Sequence, residues 1–467
     1  MLTKTKGQSG ILTALLLAFA MSFQAVNAVS FLPQDPRSLA MGGASVATGN
    51  SSQAHYYNPS LLNNASADED FNWEVDAVAR VSDSDNLFES MNDFGEQGLL
   101  ENYVIRLTEF TNSISVFDFA NALTGISNIT IARDNLVTAT SNLQTGIRNV
   151  TGKSIGIDAN IGTHISIPNL QKVSGAFYYN VWTSGSIQGV FAAEDDALIS
   201  GINTQLEALP LTVPTSLDAA MTQINQLQDS LTFVSDQNLN NNLQSSIGAG
   251  IAVFREFGLS LARNYTIQGH DIDIGLTPKY ITVDTSDLVI QLNELTDDNN
   301  TVFEQRATKQ YTSFNADIGI SKQIDDHWKT GLVIKNIIPQ SFDTPSGRST
   351  AELSPAARIG AGYRNKWASV ALDFDLTENT SVTGLSKTRF LALGAEVDLW
   401  ILKLRAGYRA NLASSGGSIP SIGVGLYLFG LNIDAAIAAN QFSVPTSTEE
   451  ATTFNDISYA LRAGIQW

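Results

Sequence analysis

The sequence predicts an all-β fold: a transmembrane antiparallel up-and-down β-barrel of about 14 strands, with an N-terminal plug and helical insertions in its outer loops. Three observations predict it. An export signal begins the chain, apolar and polar residues alternate along much of the remainder, and short connections alternate with long ones. No later apolar run reaches the about 20 residues that a membrane-spanning helix needs. Helical spans are therefore not expected.

Residues 1–28 have the pattern of a secretory signal peptide. Lys4 and Lys6 precede the apolar run ILTALLLAFAMSF, and the small residues in QAVNA predict cleavage after Ala28. The mature chain is therefore expected in the bacterial envelope. Together with the barrel, this predicts the outer membrane, with outer-membrane lipid as a partner and both termini on the periplasmic side.

Alternation with a period of two predicts strands that have one apolar face. In NIDAAIA, Ile433 lies on one face and Asp434 on the other. A soluble β-sandwich would share this pattern. Charges of both signs on the polar face favour the narrow, wet lumen of a barrel instead. The predicted lumen charge network consists of Arg358, Arg364, Asp373, Asp375, Glu396, Asp398, Lys403, Arg405 and Arg409.

Fourteen segments carry the strand pattern. An unbroken alternation through Arg255 and Glu256 predicts one strand, and not a hairpin, over 247–262. An even number of strands, with short turns alternating with long loops, is typical of outer-membrane barrels. The predicted strands are 71–81, 153–167, 172–184, 247–262, 270–283, 311–323, 328–338, 355–364, 367–377, 389–399, 401–410, 419–428, 430–440 and 455–467.

The last strand is expected to pair with the first, because an open edge would leave backbone groups unpaired in lipid. A terminal aromatic residue after alternating apolar residues resembles the signal that the barrel assembly machinery reads, which makes that machinery an expected partner. The residues that carry this resemblance are Tyr459, Leu461, Ile465 and Trp467.

The barrel domain is predicted over 71–467, with insertions at about 82–152 and 190–245. Apolar residues recur every three or four positions in 131–150 and in 216–235, which predicts amphipathic helices. A lid that packs on itself is favoured over a receptor site, although long outer loops often carry function. The mature N-terminus, 29–70, is small, apolar and rich in turns, and is predicted to fold inward as a plug or hatch.

Several chemistries are not supported. The net charge of -19 argues against nucleic-acid binding, and the absence of cysteine excludes thiol chemistry. GIRNVTGKS has one residue too many between its glycines for a phosphate-binding loop. The four histidines show no metal-ligand spacing. We therefore expect no catalytic residue, no metal and no cofactor. An outer-membrane hydrolase stays open as an alternative, because catalytic triads are recognised in space and not in sequence.

Two families resemble this sequence. The stretch RSLAMGGASVATGNSSQAHYYNPSLL (37–62) resembles the N-terminus of the FadL-type long-chain fatty-acid transporter superfamily. GLVIKNIIPQSF (331–342), the segment 357–379 and LRAGYR (404–409) resemble more closely the outer-membrane family of conjugal transfer protein TraF, which is thought to share the same barrel.

The resemblance implies passive uptake of a hydrophobic small molecule, with a hatch that moves when the ligand arrives. The alternative is an envelope protein with a structural or assembly role in conjugal transfer, whose lumen passes nothing. Phe177 and Tyr179 are the candidate ligand contacts, provided that both side chains face inward. The hatch residues implied by the resemblance are Met41, Gly42, Gly43, Ala44, Asn58 and Pro59.

Overall fold

Within the described part of the chain, fourteen antiparallel strands close into one barrel in the computed structural model. The predicted signal peptide lies outside the described residues. The structure describes residues 31–466 except 65–69, 84, 118, 171–172, 210, 238, 292–306, 348–349, 381–386, 414–417 and 441–455.

Each predicted strand is confirmed as a strand of the barrel wall. The strands follow one another around the wall in chain order, and the last pairs with the first. The barrel strands are β1 (Asn72–Ser82), β2 (Ser154–Leu170), β3 (Val173–Val190), β4 (Ser246–Ile267), β5 (His270–Gln291), β6 (Lys309–Gln323), β7 (Trp328–Lys335), β10 (Ala356–Arg364), β11 (Ala368–Asp375), β14 (Phe390–Leu399), β15 (Leu402–Asn411), β16 (Ser418–Leu428), β17 (Leu431–Asn440) and β18 (Asp456–Gln466). Two short hairpins lie outside the wall: β8 (Gln340–Asp343) with β9 (Thr350–Leu353), and β12 (Asn379–Thr380) with β13 (Lys387–Thr388).

Closure follows the predicted pairing of the first and last strands. Trp73 of β1 lies opposite Ile465 of β18, and the pairing continues without a register shift to Val81 opposite Ile457. At one end of the barrel the turns are tight. Gln268 and Gly269 have φ of 54° and 79°, the left-handed pair of a two-residue hairpin. We call this the short-turn end and the opposite one the long-loop end.

The outer face of the barrel is apolar, which identifies the protein as an outer-membrane barrel. Four of the described tryptophans, Trp73, Trp328, Trp367 and Trp400, are exposed near the short-turn end. Tryptophan is enriched where a bilayer meets water, so they mark one membrane boundary. Large apolar side chains exposed on the outer face include Val75, Ile161, Phe257, Leu276, Ile320, Leu372, Leu393, Val424, Ile433 and Leu461.

Strands β4 and β5 are 22 residues long, about twice the length that crosses a bilayer. The prediction of one continuous strand through Arg255 and Glu256 is confirmed. On the outer face of β4, exposed apolar side chains are frequent from Phe257 to Ile267. Beyond them, Arg255 forms an outward ion pair with Asp284 of β5. Charges on the lipid face are costly, so this pair marks where the wall leaves the hydrocarbon.

The two long insertions fold into helices at the long-loop end. Their apolar faces pack on one another and on the rim of the barrel at Ile247, forming one continuous core. Among the described residues, no helix combines the length and hydropathy of a membrane span. Burial raises the pKa of Tyr103 in this core to about 12, which keeps its hydroxyl neutral. The helices are α3 (Leu87–Glu96), α4 (Leu99–Ser115), α5 (Ala122–Val150), α6 (Ala193–Glu207), α7 (Leu217–Gln237) and α8 (Leu239–Asn242).

Residues 31–64 lie inside the barrel, and we call them the inner segment. The segment contains the short helices α1 (Pro36–Ala40) and α2 (Ala54–Tyr57), each followed by a turn. Most of its residues are buried, including polar ones such as Arg37 and Asn58. A polar segment buried in this way needs partners on the barrel wall, and these partners define the candidate site.

Candidate functional site in the lumen

The inner segment begins with a well-capped helix. Asp35 precedes α1, and its Oδ1 accepts hydrogen bonds from the backbone nitrogens of Arg37 and Ser38 at 2.8 and 3.1 Å. Its other oxygen accepts from the hydroxyl of Tyr57 in α2 at 2.5 Å. One carboxylate therefore caps the first helix and ties it to the second.

The predicted hatch residues Met41–Ala44 lie against wall glycines. Gly407 of β15 faces the backbone of Gly42, and any Cβ at this position would overlap with the Gly42 nitrogen. Met41 is fully buried and packs with Ala44 and two wall alanines. A glycine inside a strand often marks such an approach of another backbone. The wall is therefore shaped to receive this turn of the inner segment.

The predicted residues Asn58 and Pro59 occupy a second contact. The Asn58 side chain donates to the carbonyl of Val46 at 2.9 Å and accepts from the Ser60 hydroxyl at 2.7 Å. A Cβ on Gly319 of β6 would overlap with the Asn58 amide oxygen. The Asn-Pro turn is thus fixed both within the segment and against the wall. Whether the segment moves as a hatch stays a prediction.

A buried ion-pair network joins the inner segment to the wall near the short-turn end. Arg37 binds Glu396 at 3.1 Å, and Arg405 binds the same carboxylate at 2.6 Å. On the other side of the network, Arg462 contacts Asp35 of the inner segment at 3.0 Å and Asp76 of the wall at 2.6 Å. The described members are the carboxylates Asp35, Glu74, Asp76, Glu396 and Asp434 and the guanidinium groups of Arg37, Arg405 and Arg462.

The structure places three further predicted lumen charges against the inner segment. Asp373 accepts hydrogen bonds from the backbone nitrogens of Ser45 and Val46 at 2.7 and 2.9 Å. Arg358 pairs with Asp375 at 2.5 Å and also donates to the Gly43 carbonyl at 3.2 Å. Each of these wall charges therefore holds the inner segment or supports a residue that does.

The remaining predicted charges have different surroundings. Arg364 donates to the Thr48 carbonyl of the inner segment. Lys403 pairs with Asp398 at 3.3 Å beside a short turn, and both side chains are partly exposed, so this pair lies outside the network. Arg409 is 2% exposed, and its three nitrogens have no hydrogen-bond partner among the described residues. Its guanidinium lies 4.8 Å from the Phe390 ring centroid.

The prediction that Phe177 and Tyr179 face the lumen is wrong by one residue of register. Both side chains are about 40% exposed on the outer face. There the Phe177 ring packs against the Phe257 ring, with the ring centroids 4.5 Å apart. Tyr178 and Trp182 are buried on the inner face. Both faces of GAFYYNVW are aromatic, so alternation alone could not choose the inward one.

The inward register produces an apolar cluster that sequence reasoning did not identify. Trp182 of β3 stacks on Phe254 of β4 with ring centroids 3.8 Å apart, and the hairpin β8–β9 covers them with Phe342. Alternation within β4 and β5 was the available signal, because every second residue must face inward. The cluster, at the long-loop half of the lumen, consists of Trp182, Ala252, Phe254, Ile281, Val283, Phe342, Ala351 and Leu353.

A small cavity lies between Trp182 of this cluster and the inner segment. Its volume is about 50 Å³, room for a few water molecules. An apolar cavity that holds one benzene measures about 150 Å³. A ligand of that size would therefore need the inner segment or the hairpin to move. The lining residues are Leu32, Pro33, Gln34, Leu39, Val78, Arg80, Asp158, Ala159, Asn160, Trp182, Thr183 and Ser458.

The wall between β6 and β7 is incompletely paired. Paired residues run only from Ile318 opposite Ile334 to Gln323 opposite Lys329. Above that level the chain leaves the strand at Asn336, which has a φ of 53°. Side chains replace part of the ladder. Asp317 accepts from the backbone nitrogen of Asn336 at 2.7 Å. The strand that was predicted over 328–338 therefore ends at Lys335.

The predicted assembly-signal residues lie on β18. Tyr459 and Leu461 are exposed on the outer face, and Ile465 pairs with β1. Trp467 lies outside the described residues. Their recognition by assembly machinery stays a prediction.

Comparison with solved structures gives distant matches. The P. putida toluene transporter TodX aligns with 94% of this chain and 99% of its own, at 11% identity and a TM-score of 0.46. The Ralstonia pickettii toluene transporter TbuX covers 93% and 98% at 10% identity, with a TM-score of 0.33. A mutant Rh. blastica porin covers 67% and 91% at 13% identity, with a TM-score of 0.25. At these values the matches are too distant to assign a function or a substrate.

No curated protein matches the chain. A family model does, over residues 55–375, which include most of α2 and the wall strands from β1 to β11. Its description is F plasmid transfer operon, TraF, protein. Since the match extends over more than half of the sequence, the chain belongs to the TraF family of the F plasmid transfer operon.

Proposed function

We propose that this barrel takes up hydrophobic small molecules passively across the outer membrane. The apolar cluster in the lumen carries the proposal, because Trp182 and Phe254 offer stacked aromatic faces behind a small hairpin. Ligand sites are mostly apolar, with a few polar groups that fix orientation. Arg80 and Asp158 supply such groups at the edge of the adjoining cavity.

Uptake would begin at the long-loop end. The hairpin β8–β9 contributes Phe342, Ala351 and Leu353 to the cluster, so a ligand could replace these contacts with its own. The cavity beyond is too small for an aromatic molecule, so the ligand would have to displace the inner segment at Leu32 and Leu39. No covalent step and no cofactor are required.

Exit would be sideways, between β6 and β7. Above Ile318 these strands are joined by side chains and by a backbone bond from Ile337 to the Ala316 carbonyl at 3.0 Å. Ala316 lies opposite Pro278 of β5, within the apolar band of the wall. Separating these groups breaks fewer hydrogen bonds than opening a complete ladder. An apolar ligand would gain free energy by entering the lipid there.

Native mass spectrometry of the detergent-purified protein tests binding. We expect copurifying apolar molecules, or uptake from a panel of toluene, an alkane and a long-chain fatty acid. Trp182→Ala and Phe254→Ala should reduce binding about tenfold or more, because they remove the stacked rings. Phe177→Ala, on the outer face of the same strand, is the matched control. Equal binding by Trp182→Ala and Phe177→Ala would refute the proposed site.

An engineered disulfide tests the sideways exit. Because the sequence contains no cysteine, only the introduced pair can form a disulfide within the chain. Ala316→Cys with Ile337→Cys would bridge the weakly paired region. Ile320→Cys with Leu332→Cys bridges directly opposed residues in the intact ladder as the control. Oxidation should slow uptake of an apolar compound into cells in the first pair only. Equal uptake before and after oxidation of the first pair would contradict this route.

The second candidate function is a structural or assembly role in the envelope, in line with the transfer operon in the family's description. The buried ion pairs around Arg462 favour it, since they hold the inner segment firmly. Such a protein would bind no member of the apolar panel. For either function, we propose that residues 1–28 are removed and that both termini face the periplasm. N-terminal sequencing of the mature protein and protease protection in intact cells test these points.

A further inference from the structure

A series of buried polar contacts runs along the wall from the aromatic stack to the weakly paired region between β6 and β7. Trp182 Nε1 donates a hydrogen bond to Glu256 Oε1 at 3.0 Å. Lys279 Nζ lies 3.8 Å from Glu256 Oε2 and 3.0 Å from Asp317 Oδ1. The same oxygen of Asp317 accepts the backbone N–H of Asn336 at 2.7 Å, just after β7 ends. We call these five residues the polar relay.

The members of the polar relay are shielded from water, since each is at most 9% exposed. Lys279 is shared between two carboxylates, and it lies closer to Asp317 than to Glu256. The indole N–H of Trp182 satisfies the other oxygen of Glu256. A buried charge that loses a partner is costly, so it draws any partner within reach. If Trp182 withdrew, Glu256 would therefore compete with Asp317 for Lys279.

The far end of the polar relay also touches the inner segment. Lys335 is the last residue of β7 and precedes Asn336. Its Nζ donates to the Tyr56 carbonyl at 3.0 Å and lies 5.9 Å from the centroid of the Phe31 ring. The same ammonium group interacts electrostatically with Asp317. A movement of the backbone at Asn336 would therefore also disturb the hold of Lys335 on the inner segment.

We propose that the polar relay couples ligand binding at Trp182 to opening of the sideways exit between β6 and β7. This inference rests on the proposed uptake function. A ligand that turns the Trp182 ring takes its N–H away from Glu256, and Glu256 then draws Lys279 away from Asp317. Asp317, with a weaker ammonium partner, releases the Asn336 backbone. The relay thus has two arrangements, and a ligand favours the open one to the extent that it binds that one better.

The residues between Trp182 and Asn336 are positioning residues, because they act on the exit through one another. Without a ligand, the relay keeps the exit closed. Sequence spacing could not reveal the relay, because its members come from β3, β4, β5, β6 and the residue after β7.

Amide hydrogen exchange of the detergent-purified full chain, followed by mass spectrometry, measures the exit directly. The amides of Asn336 and Ile337 donate across it, to the Asp317 carboxylate and the Ala316 carbonyl. We call them the exit amides. Leu372, within the complete ladder of β11, is the reference for the stability of the whole barrel. Heat-modified gel migration checks that each variant forms the barrel.

The first comparison needs no ligand. Trp182→Phe keeps an aromatic ring and removes the N–H that Glu256 accepts. We expect exchange of the exit amides to accelerate at least about tenfold, with no change at the reference amide. Tyr179→Phe, which removes a hydroxyl group on the outer face of the same strand, is the matched control. Equal exchange of the exit amides in these two variants would overturn the coupling.

The second comparison uses toluene as the ligand, and native mass spectrometry of the same sample records its binding. Bound toluene should accelerate exchange of the exit amides in the unaltered chain. In Glu256→Gln, the side-chain carbonyl still accepts from Trp182 but has no charge to draw Lys279. We therefore expect toluene to bind this variant without accelerating the exchange.

The two comparisons separate the coupling from the uptake function. Toluene binding without faster exchange in the unaltered chain would overturn the coupling and leave the binding site in place. Absence of binding by any member of the apolar panel would refute the uptake function. The comparison of Trp182→Phe with Tyr179→Phe then decides whether the relay controls the exit.

Discussion

The two halves of the lumen are built from different chemistry. Near the short turns, buried ion pairs such as Arg462 with Asp76 and Arg37 with Glu396 fill the space between wall and inner segment. Near the long loops, an apolar cluster on the side of β3 to β5 fills the lumen, with Trp182 stacked on Phe254 beneath a hairpin, while Arg80 pairs with Asp456 on the side of β1 and β18. Both halves are filled with side chains, but ion pairs dominate the packing in the first and apolar contacts in the second.

This difference decides which half opens more easily. Breaking one partner out of a buried ion pair leaves a charge without compensation, at a cost of about 3–5 kcal/mol. An apolar contact can be exchanged for a similar contact with a ligand at little net cost. The long-loop half is therefore suited to receive a molecule. The short-turn half is suited to hold the inner segment in place, which keeps the lumen closed. The following predictions test this division, from the largest expected effect to the smallest.

Deletion of residues 29–70 tests whether the inner segment closes the short-turn half of the lumen. Because the inner segment fills the lumen near the short turns, we expect a large rise in ion conductance in planar bilayers. The effect should exceed that of any single substitution. Conductance equal to that of the full chain would show that the lumen is closed by other residues.

Arg462→Leu removes the arginine that contacts Asp35 and Asp76. We expect it to lower the free energy of unfolding by about 3–5 kcal/mol, because buried carboxylates lose their partner. Urea unfolding of the barrel in detergent measures this. A change below about 1 kcal/mol would indicate that the network is hydrated and open, and that the buried charges do not hold the inner segment in place.

Gly407→Ala places a methyl group against the Gly42 backbone. The wall itself can accept alanine, so we expect the inner segment to be displaced and conductance to rise modestly. Gly248→Ala is the control, since its Cβ would approach only the Val190 side chain, at 3.9 Å. Identical conductance in the two variants would mean that the segment adjusts without opening.

Lys403→Ala should have the smallest effect. Its pair with Asp398 is partly exposed beside a turn, and such pairs contribute about 0–1 kcal/mol. Urea unfolding under the same conditions as for Arg462→Leu gives the direct contrast. A loss as large as that of Arg462→Leu would remove the distinction between buried and exposed charges in this lumen.

The strands were predictable from the sequence because alternation and turn spacing report the barrel wall directly. The contacts of Gly407 and Gly319 could not be predicted, since the sequence does not show what approaches a glycine in a strand. The inward face at Phe177 was missed because both faces of that strand are aromatic. The contact of His55 with His164 was out of reach for a different reason. It depends on how a segment folds back into the lumen, which has no local pattern.

The length of β4 and β5 has a consequence for how molecules meet this protein. Residues 257–267 of β4 suffice to cross a bilayer, so residues 246–256 continue beyond it. At about 3.3 Å per residue and a tilt near 45°, that part stands roughly 25 Å above the lipid. The helical insertions rest on this raised rim at Ile247. In the proposed orientation, a compound that arrives from outside on the side of β4 and β5 meets protein before it touches the membrane, and the proposed aromatic site lies at the base of this raised wall.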